Sequence, residues 1–249
     1  MTFITGHRGA RNLWPENFLH GFRNVLALGV DAVEFDVHLT DAGELVVIHD
    51  ATLERTSEGE GPVRALSPSA RRATRLKGSG ETIPTIGEVL DVLDTGEALP
   101  LHVEIKSDGN GVPYAGIVEK VVAELAVRGL DQRSYLTSFD VSVLEDCRRI
   151  APKIQRLVSV NAAWAERQGG LGSFIDGVDG LVDIVGIHHE LMDTEWELVS
   201  SRLPLERLCV WTLNDETLIT KWLNRGIGHL TSDNPDLALN LRRALSSAA

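Results

Sequence analysis

Nine short apolar runs, most of them separated by a stretch with helical periodicity, constrain this 249-residue chain more than any other feature. The strand candidates are 3–5, 32–37, 45–48, 101–105, 135–138, 154–160, 184–187, 208–212 and 229–231. Helical patterns fall at 17–28, 86–93, 115–127, 143–150, 195–201, 216–225 and 235–243. Repeated strand-helix units predict a parallel α/β fold. The link from Val37 to Leu45 breaks the rule, because Thr40-Asp41-Ala42-Gly43 is a turn and a parallel crossover needs a dozen or more residues. One of that pair is therefore expected to run antiparallel, as a hairpin strand that brings His49 roughly across from Glu34. Eight parallel strands remain, which is the number that closes a (β/α)8 TIM barrel. An open doubly wound sheet is the competing fold, and it lacks a Gly-rich phosphate fingerprint after the first strand.

With 43% hydrophobic residues and no low-complexity linker, the chain reads as one barrel domain over 1–249, with a small insertion at about 51–83 near the mouth. A net charge of -12 argues against nucleic acid or an anionic membrane surface as the main partner. No run approaches the ~20 apolar residues that span a bilayer. The start, Met1-Thr2-Phe3-Ile4-Thr5-Gly6, has neither the basic nor the long apolar region of a leader, so a cytoplasmic protein is expected. Cys147 and Cys209 sit in apolar segments and read as buried thiols.

In such a barrel the C-terminal strand ends converge on one mouth, and the ionisable residues fall at those ends. Glu34 and Asp36 are two apart on one strand and face the same way, where they repel unless a cation lies between them. Glu104 from another strand supplies a third oxygen donor. Such a set suits one hard cation, Mg2+ or Ca2+, better than Zn2+; a salt-bridged acidic strand end has the same spacing. His7 and His49 are placed to share proton transfer, one to a leaving alkoxide and one from an attacking hydroxyl or water. These parts suit metal-assisted attack on a phosphate ester. The other six histidines lack carboxylate company of this kind and read as structural or surface residues.

His7-Arg8-Gly9, Pro15-Glu16-Asn17, Glu34-Phe35-Asp36-Val37, His49-Asp50-x-Thr52-Leu53-x-Arg55-Thr56, Glu104-Ile105-Lys106, Ser138-Phe139, Trp211-Thr212-Leu213-Asn214 and Ser232-Asp233 occur in the order seen in one family. On them the chain resembles the glycerophosphodiester phosphodiesterases. The resemblance implies a (β/α)8 barrel that uses a divalent cation to hydrolyse a small-molecule glycerophosphodiester to sn-glycerol 3-phosphate and an alcohol. Matched position by position, it makes Glu34, Asp36 and Glu104 metal ligands and His7 and His49 the acid/base pair. Arg8 then matches a phosphate-binding arginine and Lys106 a basic residue beside the metal. Asn17 is expected near the phosphate or metal, Glu16 as a brace for Arg8, and Trp211 and Asn214 in the wall of the pocket. Residues 51–83 are short and charged, which favours small head groups over a long acyl chain. Two alternatives share the fold: a lysophospholipase D or sphingomyelinase D type of enzyme, and a non-catalytic glycerophosphate-binding barrel. The first calls for an apolar groove beside the metal, and the second for a lost ligand or histidine.

Overall fold

The computed structural model describes residues 1–96 and 99–248 of the chain. Among the described residues are nine strands: β1 Phe3–Gly6, β2 Ala32–Leu39, β3 Leu45–Val47, β4 Leu101–Ile105, β5 Ser134–Ser138, β6 Gln155–Val160, β7 Ile184–His188, β8 Leu208–Trp211 and β9 His229–Ser232. Eight of them form one closed parallel sheet in the order β1-β2-β4-β5-β6-β7-β8-β9, and β1 pairs with β9 to shut the ring. The chain thus folds as a (β/α)8 TIM barrel. The hairpin strand β3 lies outside the ring, antiparallel to β2, with Val37 opposite Val47. Past its last ladder pair the Ile48 N–H donates to the Asp36 carbonyl at 3.2 Å, which carries His49 on to the rim beside the end of β2.

Alternation along the strands decides which side chains build the core and which build the site. On β2, Val33, Phe35 and Val37 face the helices and are fully buried, while Glu34 and Asp36 face the barrel axis. On β4 the same parity sends Leu101, Val103 and Ile105 outward and His102 and Glu104 inward. The outward residues pack against helices such as α1 (Leu19–Leu28), where Phe22 meets Phe35 edge-on at 6.0 Å. Each large side chain buried in this layer contributes about 1.5–3 kcal/mol. The polar face of the ring is therefore held in place by the apolar one.

The segment after β3 packs on the flank of the barrel through its own apolar cluster, in which Leu53, Val63, Leu66, Leu76 and Ile83 join Phe18, Val46 and Ile48. It contains a short helix, α2 (Pro68–Ala73), started by the Ser67 hydroxyl, which accepts from the Ala70 N–H, and by Pro68 at the first helical position. Arg71, which reads in the sequence as one of several surface charges, is instead 5% exposed and donates to the Ile83 carbonyl and to Glu44 and Glu88. Cys147 and Cys209 are buried and unpaired by disulfides. No helix among the described residues is long and apolar enough to cross a membrane.

Candidate active site

The first strand ends in a turn that the sequence builds at some conformational cost. Arg8, Gly9 and Ala10 all adopt left-handed backbone angles, with φ of 51°, 74° and 69°. Glycine is required in the middle, because a Cβ at Gly9 would also stand 3.2 Å from the Phe22 ring. Non-glycine residues in this region are strained and persist only where the surroundings hold them. The result is that the Arg8 N–H donates to Glu34 Oε2 at 3.0 Å, while its guanidinium lies buried with Nε 3.2 Å from Asp36 Oδ2.

Glu34, Asp36 and Glu104 converge at the upper end of the barrel axis, each offering an oxygen within 4.8 Å of the others. Lys106 donates from Nζ to Glu104 Oε1 at 2.5 Å and lies 2.9 Å from Asp36 Oδ1. Asn17, 2% exposed and with φ of 57°, donates from Nδ2 to Asp36 Oδ2 at 2.8 Å. Burial, with Asp36 and Glu104 beside it, drives the Glu34 carboxyl well above the usual carboxylate range. Burial also opposes ionisation of Asp36, but Lys106 and Arg8 outweigh it and hold that carboxyl well below the range. Both cations stay charged at neutral pH despite burial, because the same carboxylates face them.

The donor set fits a hard divalent cation. Glu34 Oε1 and Asn17 Oδ1 are both buried without a hydrogen-bond partner, a costly state for an oxygen unless something else fills its lone pairs. A carboxyl that its neighbours push towards protonation is also the group a cation would return to the ionised form.

Two imidazoles stand over this cluster, each backed by a carboxylate. His7 Nδ1 lies 2.6 Å from Asp233 Oδ1. A carboxylate can only accept, so Nδ1 carries the proton and Nε2, 3.7 Å from Glu34 Oε2, is left to the cavity. His49 Nδ1 likewise donates to Asp50 Oδ1 at 2.6 Å. Asn214 does not touch the cavity directly but clamps Asp233, giving its Nδ2 to Oδ2 at 2.7 Å and accepting the Asp233 N–H at 2.8 Å. Glu16 receives Arg8 at 3.3 Å, as expected of a brace, and also Arg55 through two shorter bonds. Burial lowers the His49 pKa. His38, 1% exposed, holds the same residue from the other side through its Nε2–H on the His49 carbonyl at 3.0 Å.

Opposite the charged side, the cavity of about 170 Å3 is walled by Phe139, Leu157, Cys209 and Trp211. Trp211 meets Phe139 edge-on at 5.4 Å and His188 at 5.1 Å. Phe139 also packs edge-on against Trp164 at 6.3 Å.

Every residue singled out from the sequence is thus within this one mouth or braces a residue that is. Asp50, Asp233, Arg11 and Arg55 join the site without a sequence expectation for them, because their signals are weak. Asp50 follows a candidate histidine and Asp233 follows the last strand, but short-range sequence does not show which imidazole a carboxylate will face.

A parallel barrel that sets two carboxylate-backed imidazoles and two buried cations around a carboxylate cluster is the architecture of a hydrolytic enzyme acting on phosphate esters. The sequence model described as the Glycerophosphoryl diester phosphodiesterase family matches residues 7–237, and the chain belongs to that family. A glycerophosphodiester phosphodiesterase of Caldanaerobacter subterraneus subsp. tengcongensis is 28% identical, over 97% of this chain and 98% of its own. A crystal structure from Agrobacterium tumefaciens, provisionally named glycerophosphoryl diester phosphodiesterase, superposes with a TM-score of 0.88 at 26% identity and 99% coverage of both chains. An Oleispira antarctica phosphodiesterase, solved in complex with the product sn-glycerol-3-phosphate, superposes at 0.75 with 25% identity, over 97% of this chain and 96% of its own.

Proposed function

We propose that the chain hydrolyses glycerophosphodiesters to sn-glycerol 3-phosphate and an alcohol, with His7 and His49 transferring protons and Glu34, Asp36 and Glu104 holding one divalent cation, Mg2+ or Ca2+. The observation that carries this reading is the pair of His-Asp dyads flanking a three-carboxylate cluster that has a buried, unpartnered oxygen. The product bound to the Oleispira antarctica relative is consistent with it.

When bound, the cation supplies Lewis-acid polarisation of a phosphoryl oxygen and balances the carboxylates. With it, the three negative side chains face four positive charges, counting Arg8 and Lys106, so a phosphodiester anion is attracted despite the acidic protein. Arg8 and Lys106, fixed by Asp36 and Glu104, offer N–H donors to the non-bridging oxygens as charge accumulates there. His49, its Nδ1–H tied to Asp50 and its pKa lowered by burial, is neutral at pH 7 and presents Nε2 to take a proton from the attacking water, or from a substrate hydroxyl whose cyclic phosphate water then opens. His7, with Asp233 behind it to stabilise an imidazolium, gives a proton from Nε2 to the leaving alkoxide. Asn17 keeps Asp36 in register. Trp211 and Phe139 exclude water from the opposite wall. The short, charged segment at 51–83 favours short polar head groups over acyl chains.

The test is release of glycerol 3-phosphate from glycerophosphocholine and glycerophosphoethanolamine, with EDTA and after return of Mg2+ or Ca2+. Release that EDTA stops and one ion restores supports the reading. Release untouched by EDTA removes the cation from it, and no release with any ion removes the reaction.

A further inference from the structure

Arg55 has no part in the proton transfers above, yet it makes the most elaborate set of bonds at the mouth. It belongs to the segment after β3 and is 45% exposed at its side chain. Its Nε donates to Asp50 Oδ2 at 2.5 Å and its Nη2 to Asp50 Oδ1 at 3.0 Å. On its other edge Nη1 and Nη2 donate to Glu16 Oε2 and Oε1 at 2.9 and 2.7 Å. Four of a guanidinium's five N–H donors are thereby spent on two carboxylates, in the planar fork geometry that an ammonium cannot reproduce. The turn that carries it is anchored: Leu53 is buried in the flank cluster, its N–H bonds the Gly61 carbonyl, and the Ser57 N–H bonds the Leu53 carbonyl.

The two carboxylates lead in different directions. Asp50 holds the imidazole of His49. Glu16, only 10% exposed at its side chain, accepts from Arg8 at 3.3 Å and stands 3.9 Å from Arg11, whose Nε is 2.9 Å from the Asp233 that backs His7. One carboxylate is therefore linked through an arginine to the acid behind each histidine. The link through Arg55 is short and doubly bidentate, and the one through Arg11 is long.

From this geometry we infer that Arg55 is a positioning residue for the reaction, fixing the His49-Asp50 dyad to Glu16 so that the imidazole faces the cluster, and that the segment after β3 is retained at the mouth to deliver it. The inference rests on the reading of His49 as a proton-transfer group. An isolated exposed ion pair is worth little. A fork that locks the carboxylate behind a reacting imidazole acts on the rate instead, since groups that orient such a side chain typically change activity by roughly 10- to 100-fold.

The experiment measures kcat and KM for glycerol 3-phosphate release from glycerophosphocholine, with the ion that supports turnover at saturation. It compares Arg55→Ala, Arg55→Lys, Glu16→Gln, the Arg55→Ala/Glu16→Gln double variant and His49→Ala, with melting temperatures recorded alongside. Arg55→Ala is expected to lose roughly 10- to 100-fold in kcat with KM nearly unchanged. Millimolar guanidinium should restore part of the rate, Arg55→Lys should stay low, and the double variant should be no slower than the worse single one. If Arg55→Ala does not fold, Arg55→Gln takes its place. Wild-type kcat in a folded Arg55 variant, a loss in KM alone, or full activity in Arg55→Lys overturns the inference while leaving the role of His49 standing. Turnover that survives in His49→Ala overturns both.

Discussion

The two His-Asp dyads have the same 2.6 Å bond but are made in different ways. His7 and Asp233 are 226 residues apart and meet only because β1 closes on β9, with Gly6 beside Ser232 in the ladder. Their side chains are 12% and 0% exposed. His49 and Asp50 are neighbours in sequence on the rim beyond the hairpin strand, with side chains 31% and 27% exposed, and their bracing comes from Arg55 in the flanking segment. One dyad is a product of the whole fold and is closed off from solvent; the other is local and only partly buried. A hydrogen bond to a charged group is stronger, and its loss costlier, in the first setting than in the second. His7 is thus fixed in place by barrel closure, while His49 sits on the rim, where solvent reaches it more readily.

The comparison meets its strongest test in removal of the imidazoles themselves. His7→Ala and His49→Ala are each expected to lower kcat by roughly 10²- to 10⁴-fold, the usual contribution of a general acid or base. Circular dichroism and metal binding should be unchanged, because neither ring carries core packing. A variant that keeps its turnover takes that dyad out of the chemistry.

The carboxylates behind the rings should then separate the two regions. Asp233→Asn leaves a buried His7 with an amide in place of its acceptor and no water to replace it, so kcat should fall by roughly 10³-fold or more, as expected when an imidazole is held in the wrong tautomer. Asp50→Asn puts an amide against a His49 Nδ1 that lies in a partly exposed dyad, where water can take over as acceptor, and roughly a 10-fold loss is expected. Equal losses would show that burial does not distinguish the dyads.

Acid titration probes the closed dyad through stability. The Asp233 carboxyl is pushed up by burial, but its bond from His7 and the charges of His7 and Arg11 prevail and bring its pKa down to about 2. A group depressed in the folded state contributes stability above its unfolded pKa of about 3.9, and that contribution is lost as pH falls through about 2. The shift corresponds to about 2 kcal/mol. Urea unfolding between pH 5 and pH 2 should show wild type losing about this much more stability than Asp233→Asn.

Period and turn chemistry made most of the fold legible. Alternating apolar runs marked all nine strands to within about two residues, and the Asp41-Ala42-Gly43 turn identified β3 as the strand outside the ring. The short helices at Ala162–Arg167, Leu171–Val178 and His189–Thr194 carry little sequence signal, because Gly169 and Gly170 separate the first two and the third has a single turn of periodicity. In the site, ligand-type residues on strands were readable because strand parity fixes their direction. Asp233 and Arg55 were not, since each acts on a residue brought to it by closure of the barrel or by packing of the flank, and no local period encodes either. His38 reads in the sequence as an ordinary structural histidine, and its hydrogen bonds to Tyr114 and the His49 carbonyl fit that reading, though the residue it holds is His49.

The smallest expected effect decides which histidine does which task. Burial lowers the His49 pKa, Lys106 and Arg8 lower it further, and Asp36 and the bond to Asp50 raise it. If His49 is the base it works only when neutral, so kcat/KM falls as pH drops through its pKa, and that acidic limb lies below the usual 6.5. Asp50→Asn removes one of the raising influences, and the acidic limb should move further to low pH while the alkaline limb stays in place. Were His49 the acid, it would work only when protonated, and the same substitution would draw the alkaline limb to lower pH instead. A pH profile of kcat/KM for wild type and Asp50→Asn, at saturating metal, therefore reads the assignment from which limb moves. The direction is the same in both cases, so the identity of the limb carries the answer. A profile in which neither limb moves would mean that Asp50 does not tune the His49 imidazole, and the contrast with the His7 dyad would then rest on geometry alone.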